Sequence, residues 1–402
     1  MTFPLRHQPY PTRTLDVGES NLLRRFTNTL TAAALHDYDC FVKDCHGDVT
    51  NDTRDAWKLV KHRGGLNIYR DHAVDATCHD KSVAMVEENG RVSSFEPPVP
   101  GQIQALLCTG TISGTLDDVM HGVVSPTAED AMLKSSCIGD NVVDCCVLAS
   151  ILTPTPQDPW RSLTLKWAVN AGPAAVRPFV RARDFTYVKS TGTTTTIDGE
   201  RKMEDRELVR GNVSLYHVYR QKSPNTVEVH VRAFWQLNGR MHPAIQSYLS
   251  VEATISVARI RKCSQMKKLA QLSDSSRSLD SEIDPSCCSL CRRWLGGCFT
   301  LDKSCSVCQR VICWRCADSK KLSAYFPHKR QVATKRQTVC CRCVRKADES
   351  VVLQLPKAAQ RSKTLFSSAL STVSTSSLES RDWNCSERSQ VLSSRHLDAA
   401  RA

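Results

Sequence analysis

Four C-x-x-C pairs lie within residues 288–343, and they constrain this chain more than any other feature. They read CSLC, thirteen residues, CSVC, four residues, CWRC, twenty-three residues and CCRC. A C-x-x-C pair places two thiolates on one tight turn, each within about 2.3 Å of the same zinc ion. Because one structural zinc takes four ligands, the eight cysteines predict two Zn²⁺ ions. Eight cysteine ligands leave no open coordination position, so both sites are expected to be structural.

The spacing also indicates which pairs share a metal, because the second and third pairs are only four residues apart. In an interleaved cross-brace, the first and third pairs hold one zinc and the second and fourth hold the other. The first zinc then has the ligands Cys288, Cys291, Cys313 and Cys316. The second has the ligands Cys305, Cys308, Cys340 and Cys343. Disulfides are the alternative, but they are typical of small secreted chains, and no apolar segment of a secretory signal is visible at the N-terminus.

The segment from Cys305 to Cys313 resembles the signature CxxCGxxxC of the FYVE zinc finger, and Thr338-Val339-Cys340 resembles the RVC motif of that family. RING and PHD fingers fit less well, because their spacing or their histidine ligand differs. FYVE fingers that bind phosphatidylinositol 3-phosphate carry a basic R(R/K)HHCR block, and here residues 301–306 read LDKSCS. Gln309 replaces the signature glycine, and the leading WxxD motif is absent. The resemblance therefore implies the zinc scaffold without the specific headgroup pocket.

Positive charge is concentrated in the same stretch. Residues 286–346 contain fourteen Lys/Arg and two Asp/Glu, a balance of +12 out of the formal net charge of +13. Eight thiolates and two Zn²⁺ ions would reduce this balance to about +8. A compact basic face favours an anionic membrane surface or an acidic protein partner, although a solvated face without a partner can have the same composition. We expect no nucleic-acid partner. The candidate membrane contacts are Phe299, Leu301, Lys303, Lys320, Lys321, Lys329 and Arg330.

The first 272 residues show patterns of both helices and strands. Apolar spacing predicts helices over residues 20–46 and 243–272, and a short helix over residues 55–60. Thr115 and Asp118 form a capping-box signal for a further helix. Alternation or apolar runs predict strands at 66–70, 103–112, 141–152, 163–169, 184–189, 213–220 and 226–235. The fold class is therefore α+β.

Several motifs of this region resemble the START-like helix-grip fold. They are residues 57–69, the segment from Trp160 to Trp167, the RARDF strand at residues 181–185, and residues 211–216 and 265–269. The resemblance implies a curved sheet around an apolar tunnel that the last helix closes. The candidate lining residues are Val142, Leu148, Ile151, Leu165, Trp167, Leu215, Val229 and Phe234. Arg181, Arg183 and Asp184 would orient a polar headgroup. Ordinary core packing and a structural ion pair are the alternatives.

Five segments follow from these patterns. They are a disordered N-terminus at 1–19, a START-like domain at 20–272, a Ser/Asp-rich linker at 273–286, a FYVE-type finger at 287–347 and a disordered Ser-rich tail at 348–402. The linker predicts that the first domain folds without the finger.

Two functions remain for such a chain. We found no GxSxG, P-loop or HExxH motif, so we expect no enzyme activity. The favoured function is a cytoplasmic, lipid-binding adaptor whose finger touches endosomal or other anionic membranes weakly, through phosphoinositides or other anionic lipids. The alternative is a FYVE-related scaffold that binds a protein and has no lipid specificity. A RING-type ubiquitin ligase fits less well than either.

Overall fold

The structure is a computed structural model, and it describes most of the chain before residue 351. The described residues are 3–5, 10–52, 56–71, 103–193, 212–237, 241–275, 286–295 and 303–350. The predicted linker at 273–286 and the tail at 348–402 fall mostly outside these ranges, and so do Phe299 and Leu301.

The first domain is a mixture of helices and antiparallel strands, as the sequence predicted. Its elements are α1 Val17–Cys45, β1 Trp57–Arg63, β2 Leu66–Asp71, β3 Ile103–Ser113, α2 Leu116–Val123, α3 Ala128–Ile138, β4 Val142–Leu152, β5 Ser162–Asn170, β6 Arg183–Thr191, β7 Asn212–Ser223, β8 Thr226–Gln236, α4 Pro243–Ile255 and α5 Ile260–Ser275. A turn of 3₁₀-helix, Ser256–Arg259, joins α4 to α5.

The strands form two antiparallel sheets. One has the order β1-β2-β3-β8-β7, and the other has the order β4-β5-β6. The finger adds β9 Lys303–Ser304, β10 Val311–Ile312, β11 Ala317–Phe326, β12 Gln331–Cys340 and the helix α6 Cys341–Glu349. Strand β9 pairs with β10, and β11 pairs with β12 as a long hairpin.

Capping boxes determine where three of the helices begin. Asp16 and Glu19 start α1, and the predicted pair Thr115 and Asp118 starts α2. Thr127 and Asp130 start α3 in the same way, a helix that we did not predict. In each box the two side chains satisfy backbone N–H groups that have no partner within the helix.

The five-stranded sheet is covered on both faces. On one face, Val229 and Val231 pack against Ile255 of α4. On the other, Tyr38 of α1 donates a hydrogen bond of 2.7 Å to Glu228. Successive strand residues point to opposite faces, so β8 contributes apolar side chains to α4 and polar ones to α1.

Two expectations about the N-terminal region were wrong. The helix expected at 55–60 is wrong, because residues 57–63 pair with β2 as the antiparallel strand β1. Trp57 packs under the guanidinium of Arg232, which lies 4.6 Å from the ring centre. The segment expected to be disordered, 1–19, contains ordered residues. Tyr10 packs edge-on against Trp167, with the ring centres 6.1 Å apart, and α1 begins at Val17.

The finger packs closely against the first domain. Met266 and Leu269 of α5 share one buried apolar cluster with Cys288 and Val307 of the finger. Lys268 binds Asp118 at 2.6 Å and also donates to the carbonyl oxygen of Ser350 at 2.8 Å. The expected independence of the first domain conflicts with this packing, since the two parts share apolar and ionic contacts.

Candidate metal centres and ligand pocket

The structure brings the eight cysteines together in the two groups that the sequence predicted. They are Cys288, Cys291, Cys313, Cys316 and Cys305, Cys308, Cys340, Cys343, and within each group all sulfur atoms lie within 4.8 Å of one another. Cys291 and Cys313 have sulfurs 3.6 Å apart, and Cys308 and Cys340 have sulfurs 3.9 Å apart. A tetrahedral zinc with bonds of about 2.3 Å requires sulfur–sulfur distances of about 3.8 Å. Both groups therefore have the size and donor set for one zinc each.

The first and second C-x-x-C pairs have the same backbone turn. The N–H of Arg292 donates to the carbonyl of Cys288 at 2.9 Å, and the N–H of Gln309 donates to Cys305 at 2.8 Å. Arg292 and Gln309 both have a φ of 59°, in the left-handed region. Gln309 therefore has a backbone conformation that glycine adopts more readily than other residues.

The pKa values of the cysteines differ within each group. Burial raises the pKa of Cys288, but the N–H groups of Cys291 and Cys313 outweigh it and lower that pKa to about 6. The neighbouring thiols Cys308, Cys340 and Cys343 lower the pKa of Cys305 well below its ordinary value. Burial raises the pKa of Cys316, and the neighbouring thiol Cys305 raises the pKa of Cys340 and of Cys343. Without a metal, the shift therefore favours thiolate at Cys288 and Cys305 alone among these five, and zinc binding requires the others to lose their protons as well.

The second group lies where α6 begins. The N–H of Cys343 donates to the sulfur of Cys340 at 3.3 Å, and the N–H of Cys340 donates to the sulfur of Cys305 at 3.2 Å. Cys340 therefore caps the helix and belongs to the cysteine group at once. The helix dipole stabilises negative charge at this end. Cys287 and Cys341 adjoin the groups without belonging to either.

The candidate membrane residues have different positions in the structure. Lys321 and Lys329 are exposed on the β11–β12 hairpin, and Lys320 pairs with Asp318 at 2.8 Å. Arg330 contacts the first domain instead, because its guanidinium binds the buried carboxylate of Asp144 at 2.6 Å. The guanidinium of Arg330 is therefore already engaged within the protein, and its role as a membrane contact stays an untested prediction. Lys303 lies in β9, and Phe299 and Leu301 lie outside the described residues.

Sequence reasoning missed two exposed tryptophans beside the first cysteine group. Trp294 is 68% exposed and Trp314 is 65% exposed. Trp314 directly follows Cys313, and the guanidinium of Arg315 lies 5.1 Å from its ring centre. Trp314 stands between the ligand Cys313 and Arg315, and Trp294 follows Arg292 and Arg293. A tryptophan beside arginine and close to a C-x-x-C pair is the signal that could have found them.

A small pocket lies where the two sheets meet, under α4. Its volume is about 30 Å³, whereas one water needs about 10–15 Å³. The walls include Arg181, Arg183, Phe185, Trp235, Leu249 and Ala253. Of the headgroup residues suggested by the sequence, Arg181 and Arg183 line this pocket, and Asp184 accepts a hydrogen bond of 3.1 Å from Trp167.

Three of the predicted lining residues lie on the opposite face of the small sheet. Leu148, Leu165 and Trp167 pack with the N-terminal residues Phe3 and Leu5. Val229 lies in the core against α4, and Phe234 lies beside the guanidinium of Arg232 at 5.6 Å. Strand β5 is buried on both faces, so its sequence pattern could not distinguish the inner face from the outer one.

Comparisons with known proteins give structural similarity only. No protein-family model matches the chain, and no curated protein matches it. Among solved structures, human StAR-related lipid transfer protein 5 is 13% identical, with 61% of this chain and 97% of that chain covered and a TM-score of 0.33. Human STARD10 is 10% identical, with 64% and 82% covered and a TM-score of 0.32. The human StarD13 (DLC2) lipid transfer and protein localization domain is 14% identical, with 52% and 88% covered and a TM-score of 0.31. These TM-scores are too low to assign a function.

Proposed function

We propose that this chain is a non-enzymatic lipid-binding adaptor in which a START-like domain is joined to a two-zinc finger. The observation that carries the proposal is the pocket under α4, where apolar walls from both sheets and from the helix meet two arginines. Such a mixture suits an amphipathic ligand, because the walls bind its hydrocarbon and the arginines its polar end. The pocket is small as it stands, so α4 must move outward when a lipid enters.

The finger is the proposed membrane-facing part. Trp294 and Trp314 expose large aromatic surfaces, and the neighbouring arginines and hairpin lysines supply positive charge. Tryptophan favours the membrane–water interface, and each basic residue near an anionic surface contributes about 1 kcal/mol. We therefore expect weak, salt-sensitive attachment to anionic membranes, endosomal ones included. Within the described residues, no helix combines the length and the hydropathy needed to cross a bilayer.

A substitution in α4 tests lipid binding. Ala253 lines the pocket, and Ala244 is an exposed residue of the same helix. Ala253→Phe should fill the pocket and reduce binding of a fluorescent phospholipid at least about tenfold, while Ala244→Phe should leave binding unchanged. Equal binding by both variants would contradict the proposed pocket.

The alternative function, a protein-binding scaffold without lipid specificity, is favoured by the loss of the basic R(R/K)HHCR block, where residues 301–306 read LDKSCS. Absence of phospholipid binding together with absence of liposome binding by the zinc-loaded full chain would support this alternative.

A further inference from the structure

A buried and a half-buried lysine, Lys166 and Lys189, project from the inner face of the small sheet. Lys166 is fully buried and donates to the carbonyl oxygen of Ser125. Lys189 donates to the carbonyl oxygen of Val123 at 2.8 Å and to the hydroxyl of Ser125 at 2.6 Å. Both ammonium groups thus meet at the chain segment that follows α2.

A third lysine approaches the same segment from α5. Lys267 donates to the carbonyl oxygens of His121 and Val124, at 2.7 and 2.8 Å. The last carbonyls of a helix carry partial negative charge and have no partner within the helix. The three lysines therefore have a structural role, but carbonyl oxygens do not neutralise three full positive charges.

The charge of this cluster is not balanced by carboxylates. Within the described part of the chain, none of the three lysines forms an ion pair, and Lys134 of α3 forms neither an ion pair nor a hydrogen bond. Lys134 is half-buried. The charge of Asp130 acts on Lys166, but its carboxylate is engaged in the capping box with Thr127.

A hydroxyl group beside the lysines, that of Thr164, has no hydrogen-bond partner. Thr164 is fully buried, and its hydroxyl has no hydrogen bond. Thr164 stands opposite Lys189 in the strand register and two positions before Lys166, so the three side chains share one face of the sheet. An unpaired buried hydroxyl costs free energy that a ligand acceptor would recover.

Burial and repulsion between the lysines disfavour the charged form of Lys166 and Lys189. Burial, followed by the charges of Lys134 and Lys267, lowers the pKa of Lys166 to about 8, although Cys145 and Asp130 act in the opposite direction. Burial and the charges of Lys134 and Lys166 lower the pKa of Lys189 well below its ordinary value. A bound anion would restore the charged forms.

We propose that Lys134, Lys189 and Thr164, with Lys166 behind them, bind the carboxylate or phosphate group of an anionic ligand inside the first domain. Lys134 and Lys189 would contact the anion directly, since both retain accessible surface, and Lys166 would add its field. None of these four residues lines the pocket under α4, so this is a second site in the first domain. The inference rests on the proposed lipid-binding function in naming an anionic lipid as the ligand class. A free anion of the same chemistry would use the same groups.

Lys134→Gln is the discriminating variant, because Lys134 supports no other described residue. Titrations of the zinc-loaded full chain would use oleate, phosphatidic acid, phosphatidylcholine and inorganic phosphate. We expect oleate or phosphatidic acid to bind more tightly than phosphatidylcholine, and Lys134→Gln to weaken that binding roughly tenfold, as for loss of one charge-assisted hydrogen bond. Lys58→Gln, at an exposed position of β1, is the control and should have no effect.

The outcomes separate the two proposals. Equal affinity for anionic and neutral lipids, unchanged in Lys134→Gln, would overturn the anion site and leave lipid binding intact. Binding of inorganic phosphate alone, weakened by Lys134→Gln, would support the anion site and contradict the lipid-binding function. Anionic-lipid affinity that Lys134→Gln does not change would overturn the site, whichever lipid binds best.

Discussion

Arg330 of the finger and Asp144 of β4 form an ion pair of 2.6 Å across 186 positions of the chain. The Asp144 side chain is 1% exposed, and it also accepts the backbone N–H of Leu5 at 2.9 Å. One buried carboxylate therefore joins the N-terminal segment, the small sheet and the finger.

Removal of Arg330 should destabilise the whole protein. Arg330→Ala leaves the buried carboxylate of Asp144 without its cation, which we expect to cost about 3 kcal/mol of the free energy of unfolding. Lys329→Ala, at the exposed neighbouring position, should change it by less than about 0.5 kcal/mol. Urea unfolding followed by circular dichroism measures both, and a similar small effect for the two variants would show that the ion pair does not hold the finger in place.

Removal of metal should destabilise the first domain as well as the finger. Met266 and Leu269 pack in one cluster with Cys288 and Cys305, so a finger without zinc loses the surface that covers α5. Calorimetry with a chelator should show one transition at a lower temperature. Two transitions, of which the upper one is unaffected by the chelator, would show that the first domain folds independently of the finger, as the Ser/Asp-rich linker predicted.

The sequence predicted features that depend on short spacing. The cysteine groups follow from C-x-x-C turns, and the start of α2 follows from Thr115 and Asp118, three residues apart. Thr127 and Asp130 form the same kind of signal at the start of α3, so that helix was also predictable from the sequence. These features depend on residues that are close together in the chain, so a short sequence pattern is enough to predict them.

Features that depend on tertiary packing were not predictable in this way. Trp167 resembles a tunnel residue in the sequence, but its packing with Phe3, Leu5 and Tyr10 places it on the opposite face of the small sheet. Lys166 looks like an exposed residue in its strand, yet it is fully buried. Arg330 is one of many basic residues of the finger, and nothing local distinguishes it from Lys329. The choice between these alternatives depends on contacts between distant segments.

Acid should destabilise the protein through His121. Burial, together with the charges of Lys267 and Lys268, lowers the pKa of His121 well below 6.5, so the folded chain keeps this side chain neutral. The unfolded chain takes up a proton below about pH 6.5, and folding stability therefore falls as the pH drops below that value, by at most about 1.4 kcal/mol per pH unit.

His121→Gln should reduce the slope of the unfolding free energy between pH 7 and pH 5. His36→Gln, at an exposed position of α1, should leave the slope unchanged. Urea titrations at several pH values measure it. A slope that is identical in the wild type and in His121→Gln would contradict the neutral buried state of this histidine.

Exposed tryptophans should contribute to membrane attachment. Trp294→Ala combined with Trp314→Ala should weaken sedimentation with phosphatidylserine liposomes, because the interface loses two aromatic anchors. Phe179→Ala is the matched control, since Phe179 is an exposed aromatic residue outside the finger, 81% accessible.

Attachment should also weaken as salt rises, because ions screen the basic surface. Phosphatidylinositol 3-phosphate should give no advantage over other lipids of equal charge, since the basic block of the FYVE family is missing. Tight, salt-resistant binding to that lipid would contradict this expectation, because it would require a specific headgroup pocket formed by other arginines of the finger.

Native mass spectrometry of the purified full chain tests the central claim most directly, because it counts metal and lipid on the same molecule. The account predicts two zinc ions on every folded chain and one lipid on a fraction of them. Loss of both zincs should follow Cys305→Ser combined with Cys288→Ser, one ligand of each group. A folded chain that carries no zinc and retains no lipid after incubation with phospholipid would contradict the account.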